Sequence, residues 1–500
     1  MSQQGVNIDI QDGGLGQSPP GQGNIEMVVG ASSAGTPYRP VTSSNPADFV
    51  AAGGYGPSIR LAAFVTKQTG NQVTWVKAPT DIAGSSTAVY SKSGNTQTSA
   101  ITLSGSPNDD YYLVIRPAVG GTIGVNGCQI WISLDGGATF AYKVNLQTAS
   151  TITTGSDFTT YTGLTISFGA GTLIALQDVY AVCTAPRWAA TGIQSAIQAA
   201  AAIKAIEFED IIVAGVSTPA DAIAFDGYMT TLANSSKRWS ALLCSARDAT
   251  WGGASTETQA DWITALETDW ANVESEYVGV AAGYYRFIDP FTGSQLRSSL
   301  LFGASATDSA VGIEIDLGQV SLGSIKNLVL PTAQDPFANG EFFYHDESQN
   351  AGLDAARFLS AWLLVGFPGV YIKNPNLMAA PGSDFNWLQH RHVINAAAHV
   401  AYVYWTKQLS SPVRVSKKTG FILPQDRNRL QSGCQAQLNN VLVSPGKVSD
   451  ATCTVSATDN ILSTSTLTVM IGVIPLGYLK SVDVAITFLN PAIVVVQQAA

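Results

Sequence analysis

Charge is what this chain has least of. Only 12% of its 500 residues are Asp, Glu, Lys or Arg, about half of the ~25% usual in soluble domains. A disordered chain needs many charges and few apolar residues, and 46% of the residues here are hydrophobic, so disorder is excluded as a description of the whole. A basic excess is also missing. Twenty-six bases stand against 36 acids, a net charge of −10, and a general nucleic-acid binder is not expected because phosphate attraction needs a basic surface. No apolar run approaches the roughly 18 residues of a membrane span; Ala189 to Ile206 is interrupted by Gln194, Gln198 and Lys204 and reads as a soluble helix. The opening Met1-Ser-Gln-Gln-Gly5 lacks a basic stretch followed by an apolar one. A secretory signal is therefore not expected, and the chain reads as made in the cytoplasm and soluble there.

Catalytic signatures are absent as well. Ser444-Pro-Gly-Lys447 lacks the upstream glycine and following Ser/Thr of a phosphate-binding loop. No Gly-x-Ser-x-Gly elbow occurs, and the early glycines lie in a Pro-containing stretch that opens no helix. The adjacent acids Asp109 and Asp110 read as a solvated turn. His390, His392 and His399 fall on one expected helix, where His392 and His399 stand about 10 Å apart along the axis. That is a poor fit to one metal ion, and with no acid or cysteine to complete a ligand set they read as packed, hydrogen-bonded histidines. No enzymatic activity, cofactor or metal is expected.

What is there is Ala, Gly, Ser and Thr in place of charge. Small and apolar residues must cover much of the outside, which suits a subunit whose surface is buried against copies or partners. The length corresponds to roughly three domains. The five cysteines, Cys128, Cys183, Cys244, Cys434 and Cys453, contain no C-x-x-C pair and fit no zinc spacing. They read either as small buried hydrophobes in a reducing compartment or as cross-links between subunits of an assembled particle. Their odd number leaves at least one thiol unpaired within a chain.

Periodicity divides the chain. Val6, Ile8 and Ile10 alternate with Asn7, Asp9 and Gln11, the period of a half-buried strand. Gly13 to Gly23 is a Gly/Pro linker, so residues 1–24 form a strand on a tether. A lone strand is unstable without a partner for its edges and its apolar face. Residues 25–60 lead into a core. Residues 61–187 are Thr/Ser/Gly-rich with short strands at Asp110–Arg116, Cys128–Ser133 and Phe140–Val144, the last two joined by an Asp135-Gly-Gly137 turn. They predict an inserted β-sandwich. Residues 188–335 alternate strands (208–215, 239–244, 277–282) with helices (221–237, 257–276), an α/β layer. Residues 336–489 hold a long helix near 385–409 and two alternating strands, one with Val469, Ile471 and Val473, the other with Val482, Val484, Ile486 and Phe488. Residues 490–500 end the chain in a second short strand, Ile493, Val494, Val495 and Val496. The fold class is mixed α/β, multi-domain, with terminal strand arms.

Charge is unevenly placed. Lys407, Arg414, Lys417, Lys418, Arg427 and Arg429 face only Asp426 in their stretch, whereas Glu257, Asp261, Glu267, Asp269, Glu274 and Glu276 face no base. These are either two solvated faces or complementary patches that set register between subunits or against an inner partner.

Three stretches carry a resemblance. Ile474 to Phe488 resembles the C-terminal hairpin of contractile phage tail sheath proteins, Gly369 to Val393 looks like the loop and helix of the sheath core, and Val6 to Gly14 looks like the start of that family. The match covers about the first 25 and the last 130 residues and is weak between. The resemblance implies a sheath subunit that polymerises around a tail tube, in stacked, hexameric rings. The core sheet of one subunit, with the 469–473 and 482–488 strands as acceptors, would take the N-terminal arm of one neighbour and the C-terminal arm of another. It further implies tail tube, baseplate and tail terminator proteins as partners, a place in the virion tail after assembly in the host cytoplasm, and contraction driven by interfaces rather than nucleotide. Two other readings stand beside it. One is another tail protein, of the tube or baseplate. The other is a carbohydrate-binding surface protein using Tyr111, Tyr112, Trp131 and Tyr142.

Overall fold

The structure, a computed structural model, describes residues 25–484 apart from 92–93, 126, 153–156, 251–256 and 331–343. The arm residues Val6, Ile8, Ile10 and Ile493 to Val496, with Ile486 and Phe488, lie outside the described residues. The fold is a mixed α/β, multi-domain one.

Its body is a sheet of β1 (Glu26–Gly30), β2 (Pro40–Ser43), β3 (Val73–Lys77), β4 (Asp210–Val216), β5 (Ala241–Ser245) and β6 (Val278–Ala281), in the order β6-β5-β4-β1-β3-β2. The pairings are parallel except that of β2 with β3. Helices α1 (Pro57–Thr69), α2 (Ala190–Ala201), α3 (Pro219–Ser236), α4 (Gln259–Trp270) and α5 (Leu301–Asp308) cover it. Both faces are buried, so the strands read as continuous apolar runs. Successive side chains go to opposite layers. Met27, Val29, Ile211 and Val213 meet α2, α3 and α4 on one side, and Val28, Ile212 and Leu243 meet α1 and α5 on the other. Helix α3 starts where Thr218 and Asp221 cap each other reciprocally ahead of Pro219.

Between β3 and α2 lies the expected β-rich segment. Strands Tyr142–Asn145, Gln129–Ser133, Tyr111–Val119 and Val179–Thr184 form one sheet. Thr151–Ile152, Leu164–Phe168 and Ile101–Gly105 form a second. Leu113, Ile115, Ile130 and Ile132 pack on Leu164, Ile166 and Phe168 in one core, a sandwich. Gly136 and Gly137, at φ of 81° and 101°, supply the turn between Gln129–Ser133 and Tyr142–Asn145. The start expected at residue 61 falls inside α1, and β3 still belongs to the body. The body therefore draws strands from both sides of the sandwich.

Asp109 and Asp110 correct the expectation of a solvated turn. Asp109 takes Nε and Nη2 of Arg60 at 2.7 and 3.1 Å, and the two side chains are only 3% and 5% exposed. Asp110 accepts the Ala185 N–H at 2.7 Å. Adjacent acids are solvated only if the chain leaves them outside; here the root of the sandwich presses them onto the body. They fill the crevice beyond the carboxyl ends of β4 and β5, near the point where strand order reverses and open α/β sheets bind ligands. A cavity of 20 Å³ remains there, among Arg60, Asp109, Asp110, Gly215, Ser245 and Tyr284, about enough for one water.

Burial, with the charge of Asp109 beside it, pushes the half-buried Asp110 carboxyl up to about 6. An unfolded Asp titrates near ~3.9. Between those values the folded state holds the extra proton, so stability falls as pH rises from about 4 to 6. Asp110→Asn keeps an acceptor for the Ala185 amide. It is expected to flatten that decline and to be more stable at pH 7 by about 1–2 kcal/mol, after discounting for solvent screening; urea titrations across pH 4–8 check this.

The C-terminal module is built on α6 (Leu388–Thr406) and α7 (Pro424–Leu438), a π-helical turn at Asn439–Val443, and a hairpin of β7 (Asp450–Val455) and β8 (Val469–Ile474). Helix α6 bridges two cores: Leu388 belongs to the body, while Val393 and Ala397 join Cys434, Leu438, Leu442, Ala451 and Cys453 in the module. Among the described residues no helix is long and apolar enough to cross a membrane.

Candidate docking edge

The two outer edges of the β7–β8 hairpin differ. Ser456 donates its N–H to the Thr468 carbonyl at 2.9 Å, in a register that runs from Asp450 opposite Ile474 to Val455 opposite Val469. Bonded pairs recur at every second position of an antiparallel ladder. The main-chain groups of Ala451, Cys453 and Val455 on β7, and of Val469, Ile471 and Val473 on β8, therefore point away from the hairpin.

The two outer edges are treated differently. On β7, Gln435 of α7 donates its side-chain amide to the Ala451 carbonyl and accepts the Cys453 N–H at 2.8 Å, and Gln431 accepts the Val455 N–H at 3.3 Å. Glutamine side chains thus close that edge. On β8 no described residue forms a ladder with the outer edge. Its Val469, Ile471 and Val473 side chains pack on the module core, while Met470 and Ile474 on the other face are 73% and 57% exposed. An open edge with a half-buried alternating pattern is a template for strand addition. Gln435→Ala removes two bonds from the closed edge at once. It is expected to lower module stability by about 1–3 kcal/mol, read as earlier urea unfolding in a protein that is otherwise intact.

The family model described as DUF2586, N-terminal domain, matches residues 3–376. The chain belongs to the DUF2586 family. No curated protein matches it in sequence. In fold, this DUF2586 chain is similar to the sheath of PVC, an extracellular contractile injection system, in its contracted state. The TM-score is 0.51 at 9% identity, over 97% of this chain and 98% of that one. It is also similar to sheath tail proteins of Desulfitobacterium hafniense (TM-score 0.44, 14% identity, 94% and 100% covered) and Listeria innocua (TM-score 0.44, 11% identity, 92% and 97% covered). The DUF2586 chain has the contractile-sheath fold. The docking edge lies past residue 376, beyond the span that the family model matches.

The other acceptor strand is corrected in part. Residues 475–484 of the DUF2586 chain form no strand, and Val482 and Val484 are 69% and 73% exposed. Pro475 offers no N–H to a ladder. The segment is tied instead by side chains: the Tyr478 hydroxyl donates to the Glu314 carbonyl at 2.7 Å and Lys480 pairs with Asp316.

The basic residues sit at the end of α6, in the following loop and on the first turns of α7. Arg414 is held by Asp426 at 3.0 Å, which pulls the Asp426 carboxyl down to about 2. Lys407, Lys417, Lys418 and Arg429 are exposed and Arg427 half-buried. Of the acids, Glu257 is taken by Arg247 at 2.7 Å and Asp261 by the Thr258 cap of α4, leaving Asp269, Glu274 and Glu276 exposed and Glu267 half-buried. All five cysteines are free and buried, inside the cores rather than on a face where a neighbour could reach them. The aromatics of the sandwich form no open platform. Tyr111 and Tyr112 are buried, Trp131 lies under Lys143, and Tyr142 packs edge-on against Phe158.

The histidines separate. His390 turns toward the Asp384 carbonyl, Trp387 and Tyr478. His399 is depressed by burial. Of the three on α6, only His392 meets carboxylates, Asp210 and Asp308, which come from β4 and α5. The helix sequence offered no acid; the sheet and a second helix bring two.

Proposed function

We propose that this chain is the subunit of a contractile tail sheath. It polymerises around a tail tube protein in stacked rings, six subunits to a ring, and is joined at the ends of the cylinder by baseplate and tail terminator proteins. The observation that carries this reading is the asymmetric hairpin: β7 is closed by Gln431 and Gln435 while β8 keeps its outer edge. That pattern fits a subunit that accepts a strand from another molecule. The fold shared along nearly its whole length with a contracted sheath supports the same reading.

In this mechanism the tethered strand Val6–Ile10 of one copy, or Ile493–Val496 of another, adds to a neighbour's core. Backbone bonds supply the affinity and alternating side chains the register. The glycine-rich 13–23 stretch lets the strand stay paired while the bodies rotate, and contraction proceeds as nearly rigid bodies exchange one set of interfaces for another. No nucleotide or cofactor takes part. The protein works structurally, within a particle tail assembled in the host cytoplasm. The plugged crevice above β4 and β5 suits that role better than catalysis. Exposed Lys407, Lys417 and Lys418 are available to meet the acidic face around Asp269, Glu274 and Glu276 of a neighbour. Electron microscopy of the purified protein tests the proposal: striated hollow cylinders support it, and a monomer at every concentration would reject it. Cylinders of fixed length that never shorten would instead indicate a tube subunit.

A further inference from the structure

A second feature has nothing to do with the hairpin and stands independently of the sheath reading. Where the chain enters the body sheet, Glu26 of β1 lies directly opposite Asp210 of β4. Both face the layer of α1 and α5, since Val28 and Ile212, two residues on, belong to that core. Asp308, the last residue of α5, and His392, in the second turn of α6, close over them. His392 Nε2 is 2.7 Å from Asp210 Oδ1 and its Nδ1 is 4.0 Å from Asp308 Oδ1. One ligand atom from each of Asp210, Asp308 and His392 lies within 4.8 Å of the other two, and all three residues are buried.

Glu26 is the independent sign. Its side chain is 0% exposed, and neither carboxylate oxygen has a hydrogen-bond partner among the described residues. The Ser309 N–H beside it is already donated to the Ser305 carbonyl at 2.9 Å. One face of α6 repeats the pattern. Gln389 and Asn395, three residues either side of His392, are 1% and 7% exposed and their amides are without partners among the described residues. Burying a carboxylate with nothing to bind is among the costlier arrangements in a protein.

We propose that Asp210, Asp308 and His392 are ligands of a divalent cation of the zinc class, with Glu26 the carboxylate that supports its remaining coordination. One imidazole and carboxylates together favour Zn²⁺ or its Co²⁺ surrogate over Mg²⁺ and Ca²⁺, which prefer all-oxygen sets. The ion joins β1, β4, α5 and α6, and so ties the C-terminal module to the body where the chain first enters the sheet.

The test uses the full chain, stripped with a chelator and dialysed separately against Zn²⁺, Mg²⁺ and Ca²⁺. About one Zn²⁺ per chain, no comparable Mg²⁺ or Ca²⁺, and a melting temperature that rises with Zn²⁺ are expected. Asp308→Asn and His392→Gln should each weaken Zn²⁺ binding at least ~10-fold. A wild-type chain that takes up no Zn²⁺ overturns the site in favour of a bare imidazole–carboxylate pair. So does undiminished binding in both variants. Should neither variant fold, the Co²⁺-loaded wild-type protein decides: one paramagnetically shifted imidazole N–H supports the site, and none rejects it.

Discussion

Deleting Ser2–Asp12 is expected to leave a folded, soluble subunit that no longer polymerises. The segment lies ahead of the first strand of the body, and the cores of the described residues are built without it. In the proposed sheath, what it contributes is pairing with another molecule. Four or so ladder bonds at about 1 kcal/mol each amount to roughly 4 kcal/mol, a shift of about three orders of magnitude in the concentration needed for assembly. Sedimentation velocity with electron microscopy gives the answer: unchanged melting and a single monomer peak are expected. Cylinders of ordinary length from the truncated protein would show that the arm does not link subunits.

The complementary change is Ile471→Pro. Its main chain faces the open edge of β8, so proline removes a donor that an added strand needs and leaves the bonded pairs with β7 in place. The cost to the subunit itself is the packing of Ile471 on the module core, about 1–3 kcal/mol. The assembly is expected to fail outright while the monomer still melts cooperatively. Ile471→Val, which keeps the N–H and most of the packing, should assemble as the wild type does. If Ile471→Pro assembled normally, strand addition at this edge would be excluded, whatever the arms do. The two experiments therefore interrogate donor and acceptor separately.

How legible this molecule is from its residues depends on the distance over which each feature is decided. Strands β4, β5 and β6 come within a few residues of where their apolar runs place them, and the Asp135-Gly-Gly137 turn joins the strands it should, because period and turn chemistry are local. The helix expected at 257–276 stops at Trp270. The strand expected at 482–488 is missing over its described part, because alternation alone does not provide a partner strand.

The acids and the histidine show the other side. Asp109 and Asp110 look like any polar turn until Arg60, 49 residues earlier, is brought to them. His392 meets Asp210, 182 residues earlier, only because a helix docks across the sheet. Nothing in either neighbourhood marks those encounters in advance. Composition, periodicity and turn residues by themselves determined a charge-poor, mixed α/β chain with an inserted β sandwich, since each acts over one element. Tertiary structure decided which edge of a hairpin stays open and which buried carboxylates meet, since side chains far apart in the chain are assigned as neighbours only by packing.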